Sequence, residues 1–301
     1  MASAEEDGDL SRRSPQRTPI SFPCVFTTTD SEVSYLTTVH TLASGSSGNA
    51  VLVCCEGTRL LVDAGISCRR ITCSLRELGL TLEDLTAILL THTHSDHTAG
   101  LQTLLKRSRL PIFASEDAAR GLCFRLPQCG ERLRSFSRNS RFDLGSCSVT
   151  AFATSHDAPG ACGYRFDTPD GSVGLLTDTG YVTEEAADAL PGVDLALLES
   201  NHDVETLESG PYPYYLKQRI LGSKGHLSND TAARFAVTLA ENGASDIILA
   251  HLSKENNTPA MARGAVELAL SAAGLAPELS VAPRDSLGPC HTVTRRCVCR
   301  K

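Results

Sequence analysis

Apolar residues along this chain come in two kinds of stretch. Short, nearly unbroken runs read as buried strands, and Leu85-Thr86-Ala87-Ile88-Leu89-Leu90 is one of them. Longer mixed stretches between them read as helices. The pattern predicts strands over 34–42, 50–56 and 58–63, a helix over 68–78, a strand over 86–91 and a helix over 97–107. A short strand at 111–114, a helix at 116–125 and an alternating strand at 147–155 follow. A hairpin is expected over 162–177, turning at Pro169-Asp170-Gly171. A strand at 194–199, helices at 211–221 and 228–242, a strand at 246–250 and a helix at 258–273 complete the series. Strands and helices mix in two similar halves, so the class expected is α/β or α+β. No short-period repeat is visible.

Composition adds boundaries. Residues 1–32 are polar and rich in Ser, Thr, Pro and Arg, which predicts a disordered segment. One folded domain is expected over 33–284, followed by a basic, Cys-containing tail over 285–301 with Arg295-Arg296 and Cys297-Val298-Cys299. With 301 residues and 41% hydrophobic content, the chain can bury one sizeable core. No apolar run approaches the roughly 20 residues of a membrane span. The acidic start, Met1-Ala2-Ser3-Ala4-Glu5-Glu6-Asp7, lacks an apolar signal core, so a cytoplasmic protein is expected. The 12 cysteines then read as small buried hydrophobes. A net charge of −7 argues against a broad nucleic-acid footprint. Against that stand Lys217, Arg219 and Lys224, clustered just before His226.

The chemistry is concentrated at strand ends. His92-Thr93-His94-Ser95-Asp96-His97 puts four metal-binding side chains into six residues directly after a predicted strand. His156, Asp178 and His251 each close another apolar or alternating run. Singly, each has a plain structural reading, as a hydrogen-bonded His or a turn-forming Asp before Thr-Gly. The repeated placement changes the reading, because strand ends on one sheet edge converge on one site. Imidazole and carboxylate together suit zinc, manganese or iron. His226, in Gly225-His226-Leu227-Ser228-Asn229, is not needed to complete such a site. It is a candidate to bind phosphate or protonate a leaving oxygen, or else a structural His in a turn. His202 is similarly placed. The small-residue loop 44–49 offers amides and hydroxyls to a phosphate, or is a plain hairpin loop. Ser46 and Ser228 are the candidate phosphate contacts. His40 and His291 receive no role.

These residues resemble the metallo-β-lactamase superfamily: Asp63 in LLVDAG, the HTHSDH run, His156, Asp178 in TDTG, and His251, all in order. The resemblance implies a four-layer αββα sandwich and two divalent ions. It implies that His92, His94 and His156 hold one ion, that Asp96, His97 and His251 hold the second, and that Asp178 bridges them. Asp96 and Asp178 would thereby also serve catalysis, and Asp63 would brace the metal loop without touching an ion. Residues 42–50, 176–182, 197–203, 225–229 and 249–257 are similar to the bacterial YycJ/WalJ group, described as single-domain metallohydrolases and candidate DNA exonucleases. GHLSN at 225–229 is also similar to a motif of the β-CASP nucleases, whose large insertion this chain lacks. The resemblance implies a phosphodiesterase acting on nucleic acid, DNA favoured over RNA. Two other classes stay open: a lactonase- or thioesterase-like hydrolase on the same site, and a noncatalytic metal-binding regulator.

Overall fold

The computed structural model describes residues 36–293. The polar segment 1–32 and the Cys297 and Cys299 pair lie outside the described residues. The first sheet contains β1 (Thr38–Ala43), β2 (Ala50–Cys55), β3 (Thr58–Val62), β4 (Ala87–Leu89), β5 (Ile112–Ser115) and β6 (Leu133–Phe136). The second contains β7 (Arg141–Leu144), β8 (Cys147–Ala153), β9 (Cys162–Thr168), β10 (Gly171–Leu176), β11 (Leu195–Glu199), β12 (Asp246–Ala250) and β13 (Glu278–Val281). The last strand, β14 (His291–Thr292), returns to the first sheet, whose order is β14-β1-β2-β3-β4-β5-β6. The second sheet runs β13-β12-β11-β10-β9-β8-β7. The helices are α1 (Cys68–Glu77), α2 (Ser95–Thr98), α3 (Leu101–Arg107), α4 (Glu116–Arg125), α5 (Glu184–Ala189), α6 (Val204–Ser209), α7 (Tyr214–Leu221), α8 (Asn229–Glu241) and α9 (Pro259–Ala272).

Alternation along β2 shows how the layers form. Val51, Val53 and Cys55 pack between the two sheets with Val149, Tyr164, Phe166 and Leu197. Ala50 and Leu52 face the other way, against Ile71 and Leu75 of α1 and Leu101 and Leu104 of α3. A strand buried on both faces reads as a continuous apolar run, which is why these strands are plain in the sequence. On the far side, Leu198, Ile247 and Leu249 pack against Ala232, Ala236 and Leu239 of α8 and Val266 of α9. The result is helices, sheet, sheet, helices: the αββα sandwich.

Some expectations need correcting. The helix expected over 97–107 is broken at Gly100, whose N–H bonds to Ala64 O at 2.8 Å. A side chain there would strike Ile66 O, so the chain turns at a glycine. The helix expected over 211–221 starts only at Tyr214, after Pro213, and α6 precedes it. The strands β6, β7, β13 and β14 were not expected; all are short, and the first three have half-exposed patterns. Residues 285–293 are not a detached tail: Thr292 pairs with Thr38, Gly288 N bonds to Thr41 O at 2.8 Å, and His291 Nδ1 bonds to Asp246 at 2.6 Å.

Candidate metal centre

Topology gathers the chemistry at one rim. β3 to β6 run parallel to one another, as do β10 to β13. Their carboxyl ends therefore face one way in each sheet, where ligands collect in open α/β sheets. Asp63 follows β3, the 92–97 loop follows β4, Asp178 follows β10, Glu199 ends β11 and His251 follows β12. Three of these leave their strands in the left-handed region: Asp63 at φ 61°, Asp178 at φ 57° and His251 at φ 55°. That conformation is costly for residues other than glycine and is held only where the surroundings enforce it. Here it turns each side chain off its strand and into the rim.

The predicted residues converge. His156 Nε2 lies 3.2 Å from His94 Nδ1, and these two group with His92. His97 Nε2 lies 3.4 Å from Asp96 Oδ2, which lies 3.5 Å from His251 Nε2. Asp178 stands between the groups, with Oδ2 at 3.3 Å from His97 Nε2 and Oδ1 at 3.8 Å from His156 Nε2. Two ligands of one tetrahedral ion at ~2.0–2.1 Å stand ~3.3 Å apart, so these separations suit shared cations. The hydrogen bonds fit as well. His97 Nδ1 donates to Asp63 Oδ2 at 2.7 Å, His251 Nδ1 to Glu199 Oε1 at 3.0 Å, and His156 Nδ1 to Gly225 O at 3.2 Å. Each leaves Nε2 towards the cluster. His92 Nε2, His251 Nε2 and Asp178 Oδ2 are buried without any protein hydrogen bond, a costly condition that a cation relieves. Asn49 Nδ2, 3.1 Å from His97 Nε2, is the protein donor that competes for that nitrogen.

Electrostatics point the same way. Burial, and then the charge of His97, depress the His92 imidazole well below its ordinary range. Burial works against charge on His251, yet the Asp178 carboxylate, and then those of Asp96 beside Nε2 and Glu199 accepting from Nδ1, push it up to about 10. His97 rises too, with Asp178 and Asp63 outweighing burial. Asp96 and Asp178 lie far below the usual carboxylate range, their burial overcome by the same histidines. Buried negative charge here is met by protons on His97 and His251, or by metal cations that displace them.

Asp63 braces the loop: Thr91 N and Oγ1 donate to it at 2.9 and 2.8 Å. Glu199 is its counterpart on the second sheet, and sequence reasoning assigned it no role. It is fully buried and accepts His226 Nδ1 at 2.7 Å, His251 Nδ1 at 3.0 Å and Thr179 N at 3.0 Å. Burial opposes its charge, but His226 leads the contacts that hold its carboxyl at about 2. Asp157 was also missed; its Oδ1 lies 3.5 Å from both His94 Nε2 and His156 Nε2, and its other oxygen accepts Arg219 Nε at 2.7 Å. His226, 21% exposed in its side chain, lines a cleft with Ser46, Arg219 and Lys224. His202 does not join the cluster: it is buried, with neither ring nitrogen hydrogen-bonded. Ser228 is spoken for as the cap of α8, accepting Thr231 N at 3.2 Å.

Known proteins are similar to this chain in sequence and in fold. Residues 58–252 match the model of the β-lactamase superfamily domain. An exodeoxyribonuclease WalJ of Streptococcus pneumoniae is 41% identical over 224 residues, 73% of this chain and 83% of the relative. An exodeoxyribonuclease YycJ of Bacillus anthracis is 37% identical over 236 residues, 77% of this chain and 89% of the relative. Among solved structures, Zn(2+)-bound PqqB from Methylobacterium extorquens superposes with a TM-score of 0.66 over 84% of this chain and 99% of that one, at 17% identity, and so shares the fold. The chain belongs to the β-lactamase superfamily and, within it, to the family of WalJ and YycJ.

Proposed function

We propose that this protein is a metal-dependent exonuclease of DNA. It is a hydrolase of phosphodiesters, and its relatives by sequence carry the name exodeoxyribonuclease. The observation that carries the reading is His226, held by Glu199 at 2.7 Å beside the His and Asp cluster and facing a cleft with Arg219 and Lys224. The cleft holds only about 180 Å³, below the ~300–1,000 Å³ that encloses a small-molecule substrate. A phosphate group enters it while the rest of a polymer lies outside.

His92, His94 and His156 would hold one divalent ion, and Asp96, His97 and His251 a second, with Asp178 shared. Zinc, manganese and iron all suit this donor set. When bound, the cations neutralise phosphate charge and bring the pKa of water towards neutrality. The chain's own groups do the rest. His226 donates Nδ1–H to Glu199, so its Nε2 is the atom that holds a proton for the departing oxygen. The Glu199 carboxylate stabilises the charged imidazole that precedes transfer. Arg219 and Lys224 place positive charge along the cleft, and Ser46 adds a hydroxyl at its edge. No helix among the described residues is long and apolar enough to cross a membrane.

The test is a panel on purified protein with zinc, manganese or iron added singly: end-labelled DNA in single- and double-stranded form, RNA, bis-p-nitrophenyl phosphate, a lactone and a thioester. Shortening of DNA from its ends is expected. Opening of the lactone or thioester with every phosphodiester left intact would replace this reading with a small-molecule hydrolase.

A further inference from the structure

One wall of the cleft is α7, and none of its residues is buried. Leu216, Arg219 and Ile220, with Tyr212 before them, turn towards the cleft that contains His226. In its first turn Tyr214 and Tyr215 are 76% and 73% exposed. Scattered exposed rings need no explanation, but adjacent ones on a helix that walls the cleft do. Consecutive helical residues point about 100° apart, so the two rings lie on different sides of α7. Each has a cation one turn later: Lys217 three residues after Tyr214, and Arg219 four after Tyr215. A third ring, Tyr181, is 50% exposed and follows Gly180, which is pressed against the Gly222 and Ser223 carbonyls at the other end of the helix. In a chain of net charge −7, residues 211–229 hold Lys217, Arg219 and Lys224 and no Asp or Glu.

We infer that α7 and Tyr181 form a platform on which unpaired bases of a nucleic-acid strand stack while its phosphodiester lies in the cleft. The inference rests on the nuclease reading above and names what lies outside the cleft. Every base has a π face, so rings bind a strand without reading its sequence, and neighbouring cations follow its phosphates. Continuity with the cleft and the local excess of positive charge select a polyanionic strand as the occupant.

The experiment compares full-length wild type with Tyr214→Ala/Tyr215→Ala and Tyr214→Phe/Tyr215→Phe. Affinity for a labelled single-stranded oligonucleotide is read by fluorescence anisotropy in EDTA, and the same oligonucleotide with a run of abasic sites is the control. Turnover of bis-p-nitrophenyl phosphate, which has no base, is read with metal. The alanine pair should bind the normal strand at least about 10-fold more weakly, as the loss of base–ring stacking does. It should bind the abasic strand like wild type and hydrolyse bis-p-nitrophenyl phosphate at the wild-type rate, and the phenylalanine pair should restore binding. Equal binding of the normal strand by wild type and the alanine pair overturns the platform, as does an equal loss on both strands. A change of size on gel filtration with strand binding intact also overturns it, assigning the rings to contact between copies of the chain. Wild type that hydrolyses no phosphodiester and binds no strand overturns the nuclease reading together with the platform; wild type that hydrolyses bis-p-nitrophenyl phosphate, with strand binding unaffected by the alanine pair, overturns the platform alone.

Discussion

Asp63 and Glu199 do the same work on opposite sheets. Each fixes the proton of an imidazole on Nδ1, at His97 and at His251, and so leaves Nε2 to the cluster. Asp63→Ala should therefore weaken metal binding by roughly 10–100-fold, as the loss of such supporting partners does, measured by competition with a chelating dye. Wild-type affinity in that variant would remove Asp63 from the support of the loop. Glu199 differs in holding His226 as well. His226→Ala should keep its metal content and cleave a labelled oligonucleotide ~10²–10⁴-fold more slowly, the usual cost of losing a proton donor. Glu199→Ala should lose rate and metal together. Retention of wild-type cleavage by His226→Ala would show that the imidazole is only structural. The clustered histidines were readable in the sequence because the 92–97 loop, His156 and His251 each come after an apolar or alternating run. Glu199 was not, because Leu195-Ala196-Leu197-Leu198-Glu199 looks like any strand ending at a charged surface. Its burial depends on partners from 27 and 52 residues away, which no local pattern displays.

Elements were legible where both faces are buried. β2, β3, β12, α4 and α8 lie within one or two residues of expectation, since apolar runs and helical periods mark them. β6 and β7 were missed because Leu133-Arg134-Ser135-Phe136 and Arg141-Phe142-Asp143-Leu144 are sheet-edge strands with polar outer faces. β14 has two residues and pairs with a strand some 250 residues earlier, a pairing set by tertiary contact alone. Its arrival nevertheless has an energetic consequence for β1. His40, in β1, is 5% exposed, and burial, followed by the nearby His291, lowers it to about 4 from an ordinary 6.5. Between those two values the unfolded chain binds more protons than the folded one, so acid favours unfolding. The stabilisation is whole above pH 6.5 and is lost as pH falls towards 4, by about 3 kcal/mol in all. Urea unfolding of wild type and His40→Gln in EDTA should show it: wild type should lose about 3 kcal/mol more than the variant between pH 7 and 4. Parallel pH profiles would mean that His40 takes up its proton alike in the folded and unfolded states.

The whole molecule is two half-sandwiches that meet at the rim. His92, His94, Asp96 and His97 follow a strand of the first sheet; His156, Asp178 and His251 follow strands of the second. The core between the sheets holds them together through apolar contact. At the rim the contact is different: Asp178 of the second half lies 3.3 Å from His97 of the first, Asp96 of the first lies 3.5 Å from His251 of the second, and these carboxylates need positive charge beside them. Protons on His97 and His251 supply some, and divalent ions shared by both halves would supply more. Such ions bind the folded chain and not the separated ligands of the unfolded one, so they stabilise it by mass action, by ~2.7 kcal/mol per site at a hundredfold excess over Kd. For a domain of this size each kcal/mol moves the melting temperature by roughly 2–4 °C. Metal-loaded protein should therefore melt on the order of 10 °C above the same protein in EDTA, and Asp178→Asn, at the carboxylate proposed to be shared by both ions, should lose most of that difference. The shift should shrink below neutral pH, where protons compete for the same nitrogens. A melting temperature indifferent to EDTA would mean that the rim binds no ion tightly enough to join the halves, and the proposed metal assignment would fail with it.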